Sequence, residues 1–203
     1  ADFILEGKDQ IRGWFNLLMI ASTLTMNKPS FRSVYMHGFV QAADGRKMSK
    51  SLGNYISPSE VVDKYGADTL RYYMIGGAAP GLDIMYNDDD TKLKNRNLHV
   101  LWNIQNFILD LSKTTGLKPK HVSKLSTALE ERYILSLTHS TIKKVTQAFD
   151  DYEFPSVPHL IDHLFFELSR TYIQSIRDKG SAGAEQEKLT VLNVCYDVFM
   201  TIL

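Results

Sequence analysis

Lys47 and Lys50 stand three residues apart in the run Gly45-Arg46-Lys47-Met48-Ser49-Lys50-Ser51-Leu52-Gly53-Asn54. Two ammonium groups at that spacing can be aimed at one point. Ser49, Ser51 and exposed backbone N–H groups add donors, and Gly53 lets the chain bend. This is suitable chemistry for a polyphosphate, because mobile cations can meet the negative charge that builds on a leaving pyrophosphate. A loop that closes only on ligand would confine that stabilisation to the reacting complex. The same composition also describes a solvated basic loop, so its surroundings have to decide.

A second set of candidates lies far along the chain. His163, Glu167, Arg170, Gln174 and Arg177 recur at helical spacing opposite an apolar stripe. Arg and Gln on such a face can stack on unpaired bases and bond their edges. Lys143 and Lys144 can meet a phosphate backbone with salt-dependent affinity. A mixed-charge solvated face is the competing reading, and Glu167 within the stripe favours it. Asp88-Asp89-Asp90 reads as a helix-start cluster and not as a metal site, since consecutive carboxylates point in different directions.

Composition narrows the classes. Over 203 residues, hydrophobic types make up 44% and charged types 23%, an ordinary globular balance. Lys plus Arg (23) equals Asp plus Glu (23), so any polyanion must be met by local patches and not by bulk charge. No apolar run approaches the roughly 20 residues of a membrane span. The single cysteine, Cys195, excludes an internal disulfide and a cysteine-cluster zinc site, and suits a reducing, cytoplasmic setting. The first residues, Ala-Asp-Phe-Ile-Leu-Glu-Gly, read as a strand end without an initiator Met. The last, Val-Phe-Met-Thr-Ile-Leu, stop inside a helical pattern, so a fragment of a longer chain is expected.

The pentapeptide Lys47-Met48-Ser49-Lys50-Ser51 resembles the signature loop of class I aminoacyl-tRNA synthetases. The likeness extends along the chain. Glu6-Gly7-Lys8-Asp9-Gln10-Ile11-Arg12-Gly13-Trp14-Phe15 resembles the segment that isoleucyl-tRNA synthetases place beside the aminoacyl adenylate. Tyr35-Met36-His37-Gly38-Phe39-Val40 resembles the strand leading to the lysine loop, and Tyr65-Gly66-Ala67-Asp68-Thr69-Leu70-Arg71 the helical hairpin after it. Ser169-Arg170-Thr171-Tyr172 with Ile176-Arg177-Asp178 resembles the family's anticodon-binding bundle. Valyl and leucyl enzymes share the lysine loop but not the Asp-Gln-x-Arg-Gly-Trp-Phe pattern, which favours the isoleucyl branch.

The resemblance implies roles at the matching positions. Lys50 would bind ATP, with Lys47 assisting on the phosphates and Met48 in the same loop; both lysines would act in catalysis. Glu6, Gly7, Asp9 and Gln10 would line the aminoacyl-adenylate site. Trp14 would wall the side-chain pocket, and His37 with Gly38 would lie near the adenosine. A carboxylate can accept from an α-ammonium, and an indole face can cover a branched aliphatic chain. Each residue has a plainer alternative. Glu6 and Asp9 could be helix N-terminal carboxylates, Trp14 a core aromatic, and His37 a satisfied buried histidine. The implied partners are tRNA(Ile), isoleucine and ATP with Mg²⁺, with no DNA, no membrane and no zinc in this stretch. The family's His-x-Gly-His tetrapeptide, editing insertion and zinc-bearing C-terminal region are absent from these residues, so the chain alone is expected not to activate amino acids. A tRNA-binding module without chemistry is the rival from another class.

Certain elements must position these groups. Asp9 is a plausible cap for a helix over 11–26 carrying Ile11, Phe15 and Leu18. Val34 to Val40 reads as a buried strand, and a helix followed by a buried strand suggests an α/β unit with a parallel sheet. Ser57-Pro58-Ser59-Glu60 is a capping box with Pro at the first helical position, ended at Gly66. A second helix over Ala67–Ile75 follows, closed by Gly76-Gly77. Four apolar stripes then predict a bundle: Leu101/Ile104/Ile108/Leu111, Tyr133/Leu137/Val145/Ala148/Tyr152, Val157/Ile161/Leu164/Leu168/Tyr172, and Leu189/Leu192/Tyr196/Phe199/Leu203. The expected architecture is α/β plus all-α, with residues 1–86 as the second half of a Rossmann-type catalytic domain. Residues 87–203 would be an incomplete helical anticodon-binding domain.

Overall fold

Phe3–Gly7 (β1) and Ser33–His37 (β2) run parallel, in register from Phe3 opposite Ser33 to Gly7 opposite His37. Their connection is the helix Trp14–Met26 (α1), so the chain from Phe3 to His37 is a β–α–β crossover. The computed structural model describes residues 1–122 and 128–203. These form two compact units, Ala1–Lys92 and Leu93–Leu203.

The helix begins at Trp14 and not at Ile11. Lys8–Ile11 is a single 3₁₀ turn, and Gly13 precedes the helix as its N-terminal flanking residue. Asp9 therefore lies on the 3₁₀ turn and caps nothing in α1. At the far end Asn27 takes the left-handed conformation and donates its N–H to Thr23 O at 3.0 Å.

The single buried strand expected over Val34–Val40 is instead two strands, neither of them sealed. β2 ends at His37, and Val40–Gln41 (β3) pairs in parallel with Ile84–Met85 (β4), Val40 opposite Ile84. Gly38 explains the break, because a Cβ there would overlap the Leu82 carbonyl. The incoming segment bonds on either side of it, Gly81 N to Met36 O at 2.7 Å and Ile84 N to Phe39 O at 2.8 Å. The strands also keep apolar surface outside: Leu5 is 56% and Val40 38% exposed.

Pro58–Tyr65 (α2) starts as predicted, with Ser57 Oγ accepting from Ser59 N and Glu60 reaching back to Ser57 N. Ala67–Gly76 (α3) follows directly. Val61, Tyr73 and Tyr86 form a buried cluster over which Met48, Ile56, Leu70 and Ile84 pack. Asp88–Thr115 (α4) carries the boundary between the units. Asn87 caps it by accepting from Asp89 N at 2.8 Å, and Asp88, Asp89 and Asp90 fill its first turn.

The second unit is helical: Leu129–Asp150 (α5), Val157–Phe166 (α6), Ile173–Ser175 (α7), Arg177–Ala182 (α8) and Glu185–Ile202 (α9) join α4. Its core holds Ile104, Ile134, Phe165, Leu168, Tyr172, Val191 and Cys195, all at most 1% exposed. Three stripes differ from expectation. α5 buries Ile134, Leu135, Thr138, Thr141 and Ala148, whereas Tyr133 turns outward and donates to Glu167 Oε2 at 2.7 Å. Tyr152 lies beyond the helix end at φ 59°. The third stripe faces the core but changes winding along its length, passing from α6 into a π-helix over Glu167–Tyr172. In the fourth, Leu203 lies beyond α9 and is exposed.

Buried polar groups tie the helices. Lys94 Nζ on α4 and Asp162 Oδ2 on α6 are 3.0 Å apart, and Asn97 Nδ2 donates to the same oxygen at 3.2 Å. Glu131, 2% exposed, meets Lys179 Nζ at 3.5 Å, while Tyr172 OH donates to it at 3.5 Å.

Candidate functional site

The parallel register of β1 and β2 places Gly7 beside His37, so Glu6–Gln10 and His37–Gly38 leave the sheet at the same carboxyl edge. That edge is where open parallel sheets present their ligand crevice. Gly7 is buried, and a Cβ on it would sit against Asp9 Oδ1 and 3.3 Å from His37 Cε1. The missing side chain is what lets this carboxylate and this imidazole share one point. Gln10 Nε2 holds the other Asp9 oxygen at 3.0 Å, and Glu6 Oε1 accepts from Gly7 N at 3.0 Å.

His37 is exposed at the strand end, which removes the buried-histidine alternative. Its Nδ1 lies 2.9 Å from Gly38 O. A protonated Nδ1 donating there leaves Nε2 free to accept. Trp14 is 45% exposed and tilts against Phe15, so it is not a plain core aromatic.

The lysine loop hangs from β3. Ala42 N bonds Arg46 O at 2.9 Å around a turn that places Gly45 at φ 75°, and Lys47 forms an antiparallel bridge with Gln41. Met48 turns inward onto the cluster around Val61 and Tyr73, so Lys47 and Lys50 remain exposed on either side of it. The Lys50 ammonium sits 5.4 Å over the Tyr55 ring. Asn54 fastens the loop: its Oδ1 accepts from Ser49 N at 2.8 Å and its Nδ2 donates to Lys47 O at 3.1 Å. Asn54 stands in the motif run, yet spacing alone assigns it no role. A side-chain amide closing a polar loop was the available signal.

Asp83 was also missed. It accepts from Lys8 Nζ, from Phe39 N at 2.8 Å and from Gln41 Nε2 at 2.9 Å. The Lys8 ammonium and the Phe39 N–H hold its carboxyl below the usual range. Nothing in the local Gly-Leu-Asp sequence marks it.

In the second unit, His163, Arg170, Gln174 and Arg177 are exposed, and Glu167 is half-buried and engaged with Tyr133. The guanidinium of Arg170 lies 4.2 Å from the centre of the Phe166 ring. Arg177 opens α8 beyond the break at Ile176, so the five residues do not share one continuous helix. Lys143 and Lys144 are exposed on α5. Among the described residues, no three His, Cys, Asp or Glu side chains converge to hold a metal ion. No helix there is long and apolar enough to cross a membrane.

Comparison with known proteins covers both units. Residues 1–87 match the family of class I tRNA synthetases (I, L, M and V). Residues 131–203 match the anticodon-binding domain of tRNA ligases. Among curated relatives, the isoleucine–tRNA ligase of Methanosarcina barkeri is 40% identical over all of this chain and 20% of its own length. That of Methanopyrus kandleri is 39% identical over 98% of this chain and 19% of its own. The chain thus spans about one-fifth of the length of these relatives. Among solved structures, Mycobacterium tuberculosis methionyl-tRNA synthetase with methionyl-adenylate matches all of this chain and 40% of its own, at TM-score 0.81 and 23% identity. The leucyl enzyme of Agrobacterium radiobacter K84, solved with tRNA, matches all of it and 26% of its own at 0.73 and 21%. At those identities the likeness speaks for the fold alone. The two family matches together cover the strand-edge segments, the lysine loop and the helices from α5 to α9, and on those spans the chain is similar to the class I tRNA synthetases and to their anticodon-binding domain.

Proposed function

We propose that this chain is the part of an isoleucine–tRNA ligase that supplies the second half of the Rossmann-type catalytic domain, residues 1–86, and an anticodon-binding bundle, residues 87–203. The observation that carries the reading is the shared carboxyl edge. Register places Glu6–Gln10 beside His37–Gly38, and the chain then continues through β3 into a loop that presents Lys47 and Lys50. An amino-acid subsite and a nucleotide subsite at the end of the β1–β2 pair are followed along the chain by a cationic phosphate loop rooted on the β3–β4 pair.

In the reaction, a carboxylate oxygen of isoleucine attacks the α-phosphorus of ATP, which enters with its Mg²⁺. The bond to the bridging oxygen breaks and pyrophosphate leaves. Lys47 and Lys50 neutralise the charge growing on that leaving group. Glu6 and Asp9 accept from the α-ammonium, His37 and Gly38 border the adenosine, and Trp14 covers the aliphatic chain. The acyl group then passes to the terminal adenosine of tRNA(Ile), gripped elsewhere by Arg170, Gln174, Arg177, Lys143 and Lys144. Positioning and charge stabilisation dominate both steps. The setting is cytoplasmic, and the isolated 203 residues are inactive because they carry no His-x-Gly-His segment.

The test is ATP–pyrophosphate exchange by the full-length enzyme containing this sequence, with isoleucine, valine and leucine in parallel and Lys50→Ala as control. Exchange driven by isoleucine and lost in the control is expected. Exchange with valine or leucine instead overturns the specificity. No exchange with any of them, alongside retained tRNA binding, overturns the chemistry in favour of a binding module.

A further inference from the structure

We infer that Asp83 is a positioning residue that couples the amino-acid segment to the lysine loop. This rests on the function proposed above. The groups it holds come from three different places. Lys8 stands between Gly7 and Asp9 on the turn that follows β1. Phe39 follows His37-Gly38, and Gln41 is the residue bridged to Lys47 at the root of the loop. Asp83 Oδ1 accepts from Lys8 Nζ and from the Phe39 N–H, while Oδ2 accepts from Gln41 Nε2 at 2.9 Å. Its three donors therefore belong to the amino-acid segment, the strand exit beside His37, and the base of the phosphate loop.

The carboxylate itself is held against the strand exit by its own backbone. Gly38 admits Leu82 and Asp83 to contact no other residue type would permit. β4 begins at the next residue and pairs with β3. Lys8 packs as well as pairs, with its ammonium 5.2 Å over the Phe39 ring. The side chains of Lys8 and Asp83 are only 31% and 26% exposed, so solvent screens this contact less than a surface pair. Asp83 touches no predicted substrate position. It fixes the relative placement of segments that do, and near-attack geometry is sensitive to shifts of about 1 Å.

A merely structural tie predicts lower stability with unchanged kinetics in the folded fraction. A positioning role predicts a change in the kinetics themselves. The experiment measures isoleucine-dependent ATP–pyrophosphate exchange in the full-length enzyme carrying Asp83→Asn, Asp83→Ala, Lys8→Met, or Lys8→Met with Asp83→Asn. Active-site titration corrects for the folded fraction. Expected are kcat losses of roughly tenfold or more for Asp83→Ala, with KM for both isoleucine and ATP raised, and smaller losses for Asp83→Asn, which still accepts from Phe39 N. The double variant is expected to lose no more than the worse single, because both changes remove one shared contact. KM for tRNA is expected to stay within twofold in all of them. Lys8→Met keeps the other Asp83 bonds and serves if Asp83→Ala fails to fold. Kinetics within twofold of the parent for both Asp83→Asn and Lys8→Met, in an enzyme that exchanges normally, overturn the inference alone. An unsubstituted enzyme without exchange overturns the functional reading, and this inference with it.

Discussion

Removing the Asp162 carboxylate takes its ion-pair partner from a lysine inside the helical unit. Lys94 Nζ lies 3.0 Å from Asp162 Oδ2, and the two side chains are 16% and 12% exposed. Breaking one partner of a fully buried pair costs about 3–5 kcal/mol. The residual exposure gives the long lysine chain a path toward water, which lowers that to about 2–3 kcal/mol. Asn97 Nδ2 donates to the same oxygen at 3.2 Å, and its loss adds about 1 kcal/mol. Asp162→Ala is therefore expected to destabilise the unit by about 3 kcal/mol. With a urea slope of about 1.5 kcal/mol per molar, the midpoint falls by about 2 M. The two tryptophans make the assay selective: Trp14 lies in the first unit and Trp102 in the second, so a Trp14→Phe background reports the second alone. Lys94→Met combined with Asp162→Leu removes both charges, and is expected to recover to within about 1 kcal/mol of the parent. A midpoint shift below about 0.5 M for Asp162→Ala, or a double variant no more stable than the single, would refute the reasoning.

Other perturbations follow from the same geometry. Gly38→Ala places a methyl group into the Leu82 carbonyl, and is expected to cost about 2–4 kcal/mol in the first unit, read from Trp14 emission in urea with Trp102→Phe. Asn54→Ala removes both bonds that fasten the lysine loop; at about 0.5–1.5 kcal/mol each, kcat/KM for ATP in exchange is expected to fall roughly 5- to 150-fold, with little change in thermal midpoint. The Asp88 carboxyl is held below its ordinary value by hydrogen bonds from Lys64 and Tyr65. A depressed carboxylate stabilises the fold fully above its unfolded value near 4, and the contribution is lost as pH falls through the lower folded value. The parent should therefore be the more stable of the pair with Asp88→Asn at pH 6. Their urea midpoints should converge as pH falls below about 4, and a gap that stays constant there contradicts the assignment.

What could be read from sequence was local. The Ser57–Glu60 box completes itself within four residues, and α2 starts where that box says it should. The lysine loop is recognisable because its residue types are contiguous. The end of β2 at His37 was not legible, because its cause lies 44 residues away in chain order, where Leu82 and Asp83 approach Gly38. Tyr133 was misassigned to the core for a related reason. Its aromatic ring fits an apolar stripe, but its hydroxyl finds Glu167, and the neighbouring Ile134 and Leu135 face inward instead. The π-helical stretch over Glu167–Tyr172 changes helical period without any Gly or Pro to announce it.

The candidate site divides along the same line. Residues that would meet substrate belong to recognisable runs: Glu6–Gln10, His37–Gly38 and Lys47–Lys50. Those that hold these runs in place do so in part through bonds to backbone, which leave no spacing to detect. Asn54 binds Ser49 N and Lys47 O, and Asp83 binds Phe39 N. Since a carboxylate or amide can reach any main-chain group the fold brings near, residue type alone never singles it out. The supporting shell becomes visible only with coordinates, although loss of 1 Å of placement there can cost as much rate as loss of a contacting group. That is why Asp83, unremarkable in sequence and touching no predicted substrate position, is the substitution whose kinetics most directly separate a sheet edge that merely collects the right residues from one that holds them in working register.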